Sequence, residues 1–199
     1  DSFSPATRGF MNRPTRRFPR MSIQIVSPVN REARPRPVFY VVSLRKLIIL
    51  NFFTGGLYWF FWFLRNWDLY RRSRGPEFSM LPGVLWPEFF VYMLLNRVDR
   101  QIRVTGRDYA WSPWWLAFFM VLMLLLSATV ALVSVPISDD GLLISASLLT
   151  GVLYYVTLCK AQQAINYCEG DPYGEGNAQL TLVNWLWIIG CTLGWLMLD

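Results

Sequence analysis

The sequence predicts an all-α, polytopic helical membrane protein, with three transmembrane helices preceded by two shorter or broken membrane segments. The first observation is composition, because 54% of the residues are hydrophobic and 16% are charged, against about 25% charged in a typical soluble domain. The second is charge distribution, since Lys160 is the only Lys or Arg after Arg107. The third is a series of long apolar runs in the C-terminal half. Such runs are too apolar for the surface of a water-soluble protein.

Residues 1–37 are predicted to form a disordered, basic tail. This segment holds eight Arg, six Pro and two acidic residues, and it lacks periodic apolar spacing. It buries too little apolar surface to offset the entropy lost on ordering. Its basic residues favour the cytoplasmic side of a membrane. Residues 38–199 are predicted to form the helical membrane domain.

The first membrane segment, residues 47–64, contains 18 residues without a charge. At 1.5 Å per residue it is about 27 Å long, close to the ~30 Å of a hydrocarbon core. Asn51, Thr54, Gly55 and Gly56 lie at its centre. Adjacent glycines cost a helix about 1 kcal/mol each, and an Asn without a partner is costly in hydrocarbon. We therefore expect a bend there that faces protein rather than lipid.

The second segment, residues 81–95, is shorter and contains two Pro and Glu88. We expect one helix that enters the membrane near Val84 and leaves along the headgroup plane near Val104, with one apolar face. That face consists of Val91, Leu94, Leu95, Val98 and Ile102. Glu88 is the one acid expected at membrane depth, which makes it a functional candidate. The alternative, given equal weight, is that Glu88 is an interfacial residue beside the start of a helix.

Three longer apolar stretches follow, at residues 114–135, 141–159 and 180–198. Each is long enough to cross a membrane. The basic regions 1–46 and 97–107 both favour the cytoplasm, so the first two segments either both cross or both re-enter. Crossing would place the basic residues of 65–74 on the extracytoplasmic side, which argues against it. The length of the first segment favours crossing, and crossing is slightly preferred. In both cases the loop 160–179 is cytoplasmic and the C-terminus is extracytoplasmic.

The last apolar stretch carries a candidate packing motif. Gly190 and Gly194 have the G-x-x-x-G spacing, which opens a groove for a neighbouring helix. Asn184 projects from a different face and is a candidate for a hydrogen bond to another helix. The partner helix belongs either to this chain or to a second copy.

No constellation for catalysis, a cofactor or a metal is present in the sequence. The chain has no His, and its three Cys form no C-x-x-C pair, which excludes imidazole chemistry and argues against a thiolate metal site. The acids between residues 169 and 175 do not match a Ca²⁺-binding loop and are better explained by a turn. The basic segments also lack the aromatic pattern of a nucleic-acid binder. We expect neither an enzyme nor a nucleic-acid-binding protein.

Two stretches resemble a family of small, uncharacterised bacterial inner-membrane proteins. The run TGGLYWFFW at residues 54–62 is similar to the family's T-x-G-x-Y-x-x-Y-W segment. The C-terminal part resembles it in a G-D-P run at 170–172, followed by Asn177 and then by L-T-x-x-N at 180–184. The resemblance covers residues 38–198 and implies a bacterial inner membrane. The resemblance implies no activity.

These observations predict a protein that acts through helix packing, as a scaffold, assembly or regulatory subunit. Its partners would be the lipid bilayer and either another membrane protein or a second copy of itself. The alternative is a component of a small-solute or lipid transporter or channel that uses the broken first segment, because a broken helix exposes backbone groups able to hold a solute.

Overall fold

The computed structural model describes residues 37–74, 87–134 and 141–197, all of which belong to the unit Arg36–Asp199. Over these ranges the chain is all-helical and contains no strand, which confirms the predicted helical class. The elements are α1 (Leu44–Phe53), α2 (Leu57–Arg74), α3 (Pro87–Val104), α4 (Pro113–Ser134), α5 (Gly141–Cys168), a 3₁₀ turn (Glu175–Asn177) and α6 (Leu182–Leu196). Residues 1–36 of the predicted tail and residues 81–86 of the second segment lie outside the described residues.

The first predicted membrane segment consists of two helices, α1 and α2, joined by a tight reversal. Gly55 and Gly56 in the turn have φ angles of 60° and 89°, a left-handed conformation that glycine adopts at no steric cost. The two ends of this hairpin meet, because the Tyr40 amide donates to Asn66 Oδ1 at 2.9 Å. The chain thus returns to the side from which it left. Residues 47–64 therefore do not form one continuous helix, because the 18-residue apolar run includes this turn.

Helix α3 carries the apolar face that the sequence predicts. All five residues of that face are at most 1% exposed, and the helix packs against α2, α4 and α5. The apolar face predicted from the spacing is therefore confirmed, but its expected lipid surroundings are not. The face is covered by protein instead of lying along a headgroup plane.

Helices α4 and α5 pack along each other, and each is long and apolar enough to cross a membrane. Only 17% of the apolar window in each helix is buried, so most of that surface is open. Helix α5 continues to Cys168, whereas the sequence analysis ended it at residue 159. The extension is stable because Ala161 and Ile165 face the core, and Gln162 and Asn166 have buried hydrogen-bond partners.

Helix α6 is shorter than the stretch predicted from the sequence. Its 15 residues are about 22 Å long, less than a ~30 Å hydrocarbon core. Two described helices, rather than three, are therefore both long enough and apolar enough to cross a membrane. Helix α6 packs on α1, and Ile188 is its one buried residue.

The buried core lies where residues 37–43, α1, α2, α3, the start of α4 and the end of α5 meet. Its largest fully buried side chains include Phe39, Trp62, Phe63, Leu94, Leu158 and Ile165. Apolar residues farther along α4, earlier in α5 and along most of α6 are exposed. The molecule therefore has a packed end with polar groups and an apolar end that is largely uncovered.

Candidate functional site

An extended segment, residues 37–43, enters the packed end. Side chains form hydrogen bonds with its backbone, a role that a neighbouring strand has in a sheet. Asn166 Nδ2 donates to the Val42 carbonyl at 2.9 Å, and Asn166 Oδ1 accepts from the Val42 amide at 3.3 Å. Gln162 Nε2 donates to the Tyr40 carbonyl at 3.0 Å. Gln162 and Asn166 are fully buried. Since an unpaired buried backbone group costs about 1–3 kcal/mol, these amides hold the segment in place.

Two further amide side chains bind the same segment from other elements. Asn66 on α2 accepts from the Tyr40 amide at 2.9 Å. Asn177, in the 3₁₀ turn, donates to the Val41 carbonyl at 2.9 Å and to the Tyr40 hydroxyl at 3.0 Å. We name these four side chains the amide clamp: Asn66, Gln162, Asn166 and Asn177. The clamp joins α2, α5 and the loop before α6 through one extended strand of chain.

Glu169 and Arg107 complete the hydrogen bonding at the end of α5. Glu169 Oε1 accepts from the Val38 and Phe39 amides at 3.1 and 2.8 Å. Burial raises the pKa of the Glu169 carboxyl, and the two amide donors and the Arg107 charge oppose that shift only in part. The Arg107 guanidinium donates to two carbonyls in the last turn of α5 at 3.0 and 2.7 Å, a favourable position for a cation.

Lys46 is a buried cation that the sequence analysis did not single out. It is 2% exposed, and its Nζ donates to Asn177 Oδ1 at 2.7 Å and to the Gln179 carbonyl at 2.8 Å. Both acceptors are neutral. The contact ties the first turn of α1 to the loop between α5 and α6.

Asn51 and Thr54, at the tip of the hairpin, are fully buried and bind the start of α2. Asn51 Oδ1 accepts from the Trp59 amide at 3.2 Å, and Thr54 Oγ1 accepts from the Tyr58 amide at 3.0 Å. The first amides of a helix lack partners within that helix, so these side chains supply them. Asn51 Nδ2 has no hydrogen-bond partner among the described residues.

The candidate glycines have different surroundings. A Cβ on Gly55 would lie 2.6 Å from Trp195 Cζ2, so α6 approaches the tip of the hairpin closely. A Cβ on Gly56, Gly190 or Gly194 would meet nothing within 4 Å among the described residues. The G-x-x-x-G face of α6 is therefore not covered by another described helix of this chain.

Asn184 caps its own helix, and its side-chain hydrogen bonds within the described residues are to Thr181. Its Oδ1 accepts from the Thr181 amide at 2.9 Å, and its amide donates to Thr181 Oγ1 at 3.4 Å. This reciprocal pair is a capping box, which satisfies two amides at the helix start. Glu88 lies in the first turn of α3, and its side chain lies outside the described part.

The acidic loop after α5 forms a turn. Asp171 accepts from the Glu175 amide at 3.0 Å and from the Gly176 amide at 2.8 Å. Glu169 is bound to the extended segment instead. Within residues 37–74, 87–134 and 141–197, no group of three or more His, Cys, Asp or Glu side chains is placed to hold a metal ion.

Two grooves flank one face of α5. The α1–α5 groove has a volume of about 650 Å³ and lies between Ile48 and Phe52 of α1 and the middle of α5. The α4–α5 groove is about 380 Å³ and lies beside Trp111 and Trp115 at the start of α4. Lys160 lines both grooves.

No family model, curated protein or solved structure matches the chain. The sequence analysis identified the residues at the tip of the hairpin but did not identify the amide clamp. For two members of the clamp, Gln162 and Asn166, a signal was present, because their spacing with Glu169 places three polar side chains on one face of a helix.

Proposed function

We propose that this chain is a multi-pass protein of the bacterial inner membrane that acts through helix packing, as a scaffold, assembly or regulatory subunit. The observation that carries the proposal is the uneven cover of its apolar helices. α4 and α5 leave most of their apolar windows open, and α6 has a single buried residue. Exposed apolar surface on this scale fits lipid and other membrane helices.

The re-entrant hairpin supports a cytoplasmic location for the packed end. Because α2 returns to the side from which α1 leaves, the basic residues at 65–74 stay with the basic region 97–107. The positive-inside rule is then obeyed by both regions without an extracytoplasmic basic cluster. In this topology the loop between α5 and α6 is cytoplasmic, and α6 is directed towards the extracytoplasmic side.

The packing at the tip of the hairpin favours a scaffold over a transporter. Asn51 and Thr54 are fully buried and bind amides of α2. Neither residue lines the α1–α5 groove or the α4–α5 groove. The polar side chains at the tip are therefore engaged within the protein, apart from Asn51 Nδ2, and do not offer a solute site in the broken segment.

Photo-crosslinking in native membranes tests this proposal. A photoreactive residue at position 190 or 194 lies on the open face of α6 and should give a covalent adduct with another membrane protein or with a second copy. The same residue at position 100, exposed on α3, is the control. Adducts no more abundant than the control, together with saturable solute uptake by the purified chain in proteoliposomes, would establish the transporter alternative instead.

A further inference from the structure

The face of α5 between the two grooves carries a cation with no partner among the described residues. Val156, Lys160 and Gln163 line both grooves, and their spacing places them on one helix face. Lys160 is exposed, and no described residue forms an ion pair or a hydrogen bond with its ammonium group. The charge therefore sits on a ridge with an apolar groove on each side.

The α1–α5 groove has the length of one lipid acyl chain. It extends along α5 from Ser147 to Gln163, and the part between Ser147 and Lys160 is about 20 Å long at 1.5 Å per residue. One leaflet supplies about 15 Å of hydrocarbon, half of a ~30 Å core. Phe52 and Val152 are among its apolar lining residues. A chain lying in this groove would have its polar end at Lys160.

The α4–α5 groove is shorter and more aromatic. Trp111, Trp115 and Phe119 line it beside the same ridge of α5. Trp side chains are favoured at the depth where headgroups meet hydrocarbon, because the ring is apolar and its N–H is polar. This groove suits the upper part of a second acyl chain.

A second cation lies on the α1 side of the larger groove. Arg45 shares a helix face with Ile48 and Phe52, by its spacing of three and seven residues, and both of those residues line the groove. Arg45 is exposed and has no described partner. Among the described residues that line the two grooves, Lys160 is charged and no Asp or Glu is present. The described lining therefore carries a positive charge that no lining carboxylate neutralises.

We propose that this face binds one anionic diacyl phospholipid, with the phosphate at Lys160, the Gln163 amide as a second donor and one acyl chain in each groove. The inference rests on the proposed membrane location. An anionic headgroup is favoured over a zwitterionic one because Lys160 lines both grooves, Arg45 shares a helix face with two lining residues, and no acid is among the described lining residues. The lipid would fill the space between α1 and α4 on the exposed face of α5.

Lipid retention measured by native mass spectrometry tests the site. The full chain is reconstituted with equal amounts of phosphatidylglycerol and phosphatidylcholine and then transferred to detergent. We expect one phosphatidylglycerol molecule to be retained in preference to phosphatidylcholine. Lys160→Gln should lower this retention at least tenfold, whereas Arg100→Gln, which removes an exposed basic side chain lining neither groove, should leave it unchanged.

A second variant tests the groove separately from the charge. Gly151 lines the α1–α5 groove, and a Cβ there would meet nothing within 4 Å. Gly151→Leu should therefore fill the groove without displacing described neighbours, and it should weaken retention with Lys160 intact. Displacement of the lipid by free glycerol phosphate would show a phosphate site rather than a lipid site.

The two proposals fail in distinguishable ways. A chain that alkaline carbonate extracts from membranes would overturn the membrane location and the lipid site together. Two results with a chain that resists extraction would overturn the lipid site alone. The first is equal retention of the two lipids by the wild type. The second is retention of phosphatidylglycerol by Lys160→Gln and Gly151→Leu at the wild-type level.

Discussion

Gly174, in the loop after α5, lies close against the backbone of the extended segment. Its φ angle is 67°, and a Cβ there would lie 2.5 Å from the Val42 carbonyl carbon and oxygen. Gly170 has a similar φ angle of 78°, but a Cβ on it would meet nothing within 4 Å among the described residues. The variants Gly174→Ala and Gly170→Ala therefore share the backbone strain and differ in the available space.

The magnitudes follow from these distances. Gly170→Ala should cost about 1–2 kcal/mol of unfolding free energy, the cost of a left-handed Ala. In Gly174→Ala, moving Val42 from 2.5 Å to an ordinary contact of 3.4 Å requires a shift of 0.9 Å. Usable N–H···O distances cover only about 0.5 Å, so the bonds from Val42 to Asn166 are lost. Two unpaired backbone groups add about 1–3 kcal/mol each, for about 3–8 kcal/mol in all.

Unfolding in mixed micelles measures the difference. The purified variants are titrated with sodium dodecyl sulfate and followed by far-ultraviolet circular dichroism and by Trp fluorescence. We expect Gly174→Ala to unfold at clearly lower denaturant than Gly170→Ala. If Gly174→Ala fails to accumulate while Gly170→Ala folds, Gly174→Ala is likewise the less stable variant. Equal losses of stability in the two variants would refute the close approach between the loop and the segment.

Three further outcomes are expected in the same unfolding assay. Asn166→Ala should lower the free energy of unfolding by about 2–6 kcal/mol, because it leaves both backbone groups of Val42 unpaired. The control Gln163→Ala changes an exposed side chain and should stay within about 0.5 kcal/mol of wild type. Similar losses in the two variants would contradict the clamp. Because the pKa of Glu169 is raised in the folded state, stability should fall as pH rises from about 4.5 through the folded-state pKa. Glu169→Gln keeps an accepting oxygen and removes the titrating carboxyl, so it should flatten this slope; an unchanged slope would show that Glu169 is not its source. Asn51→Ala should cost about 1 kcal/mol, since it removes an amide acceptor but also an unpaired donor; a loss above about 3 kcal/mol would indicate a partner for Asn51 Nδ2.

The sequence determined the features that depend on local spacing. The buried face of α3 could be predicted because residues three and four apart share a side of any helix, whatever that side packs against. The break at the tip of the hairpin could be predicted because two adjacent glycines are poor helix formers in any context. The apolar character of α4 and α5 likewise follows from composition alone.

Only the tertiary structure decided the direction of the chain after the break and the partners of the extended segment. A turn at Gly55 and Gly56 is compatible with both a kinked crossing and a return, and the bond from Tyr40 to Asn66 selects the return. Asn166 and Val42 are 124 residues apart in sequence, so no local pattern pairs them. Their pairing arises because a buried backbone without a neighbouring strand has to find its hydrogen bonds among whichever side chains the packed helices bring to it.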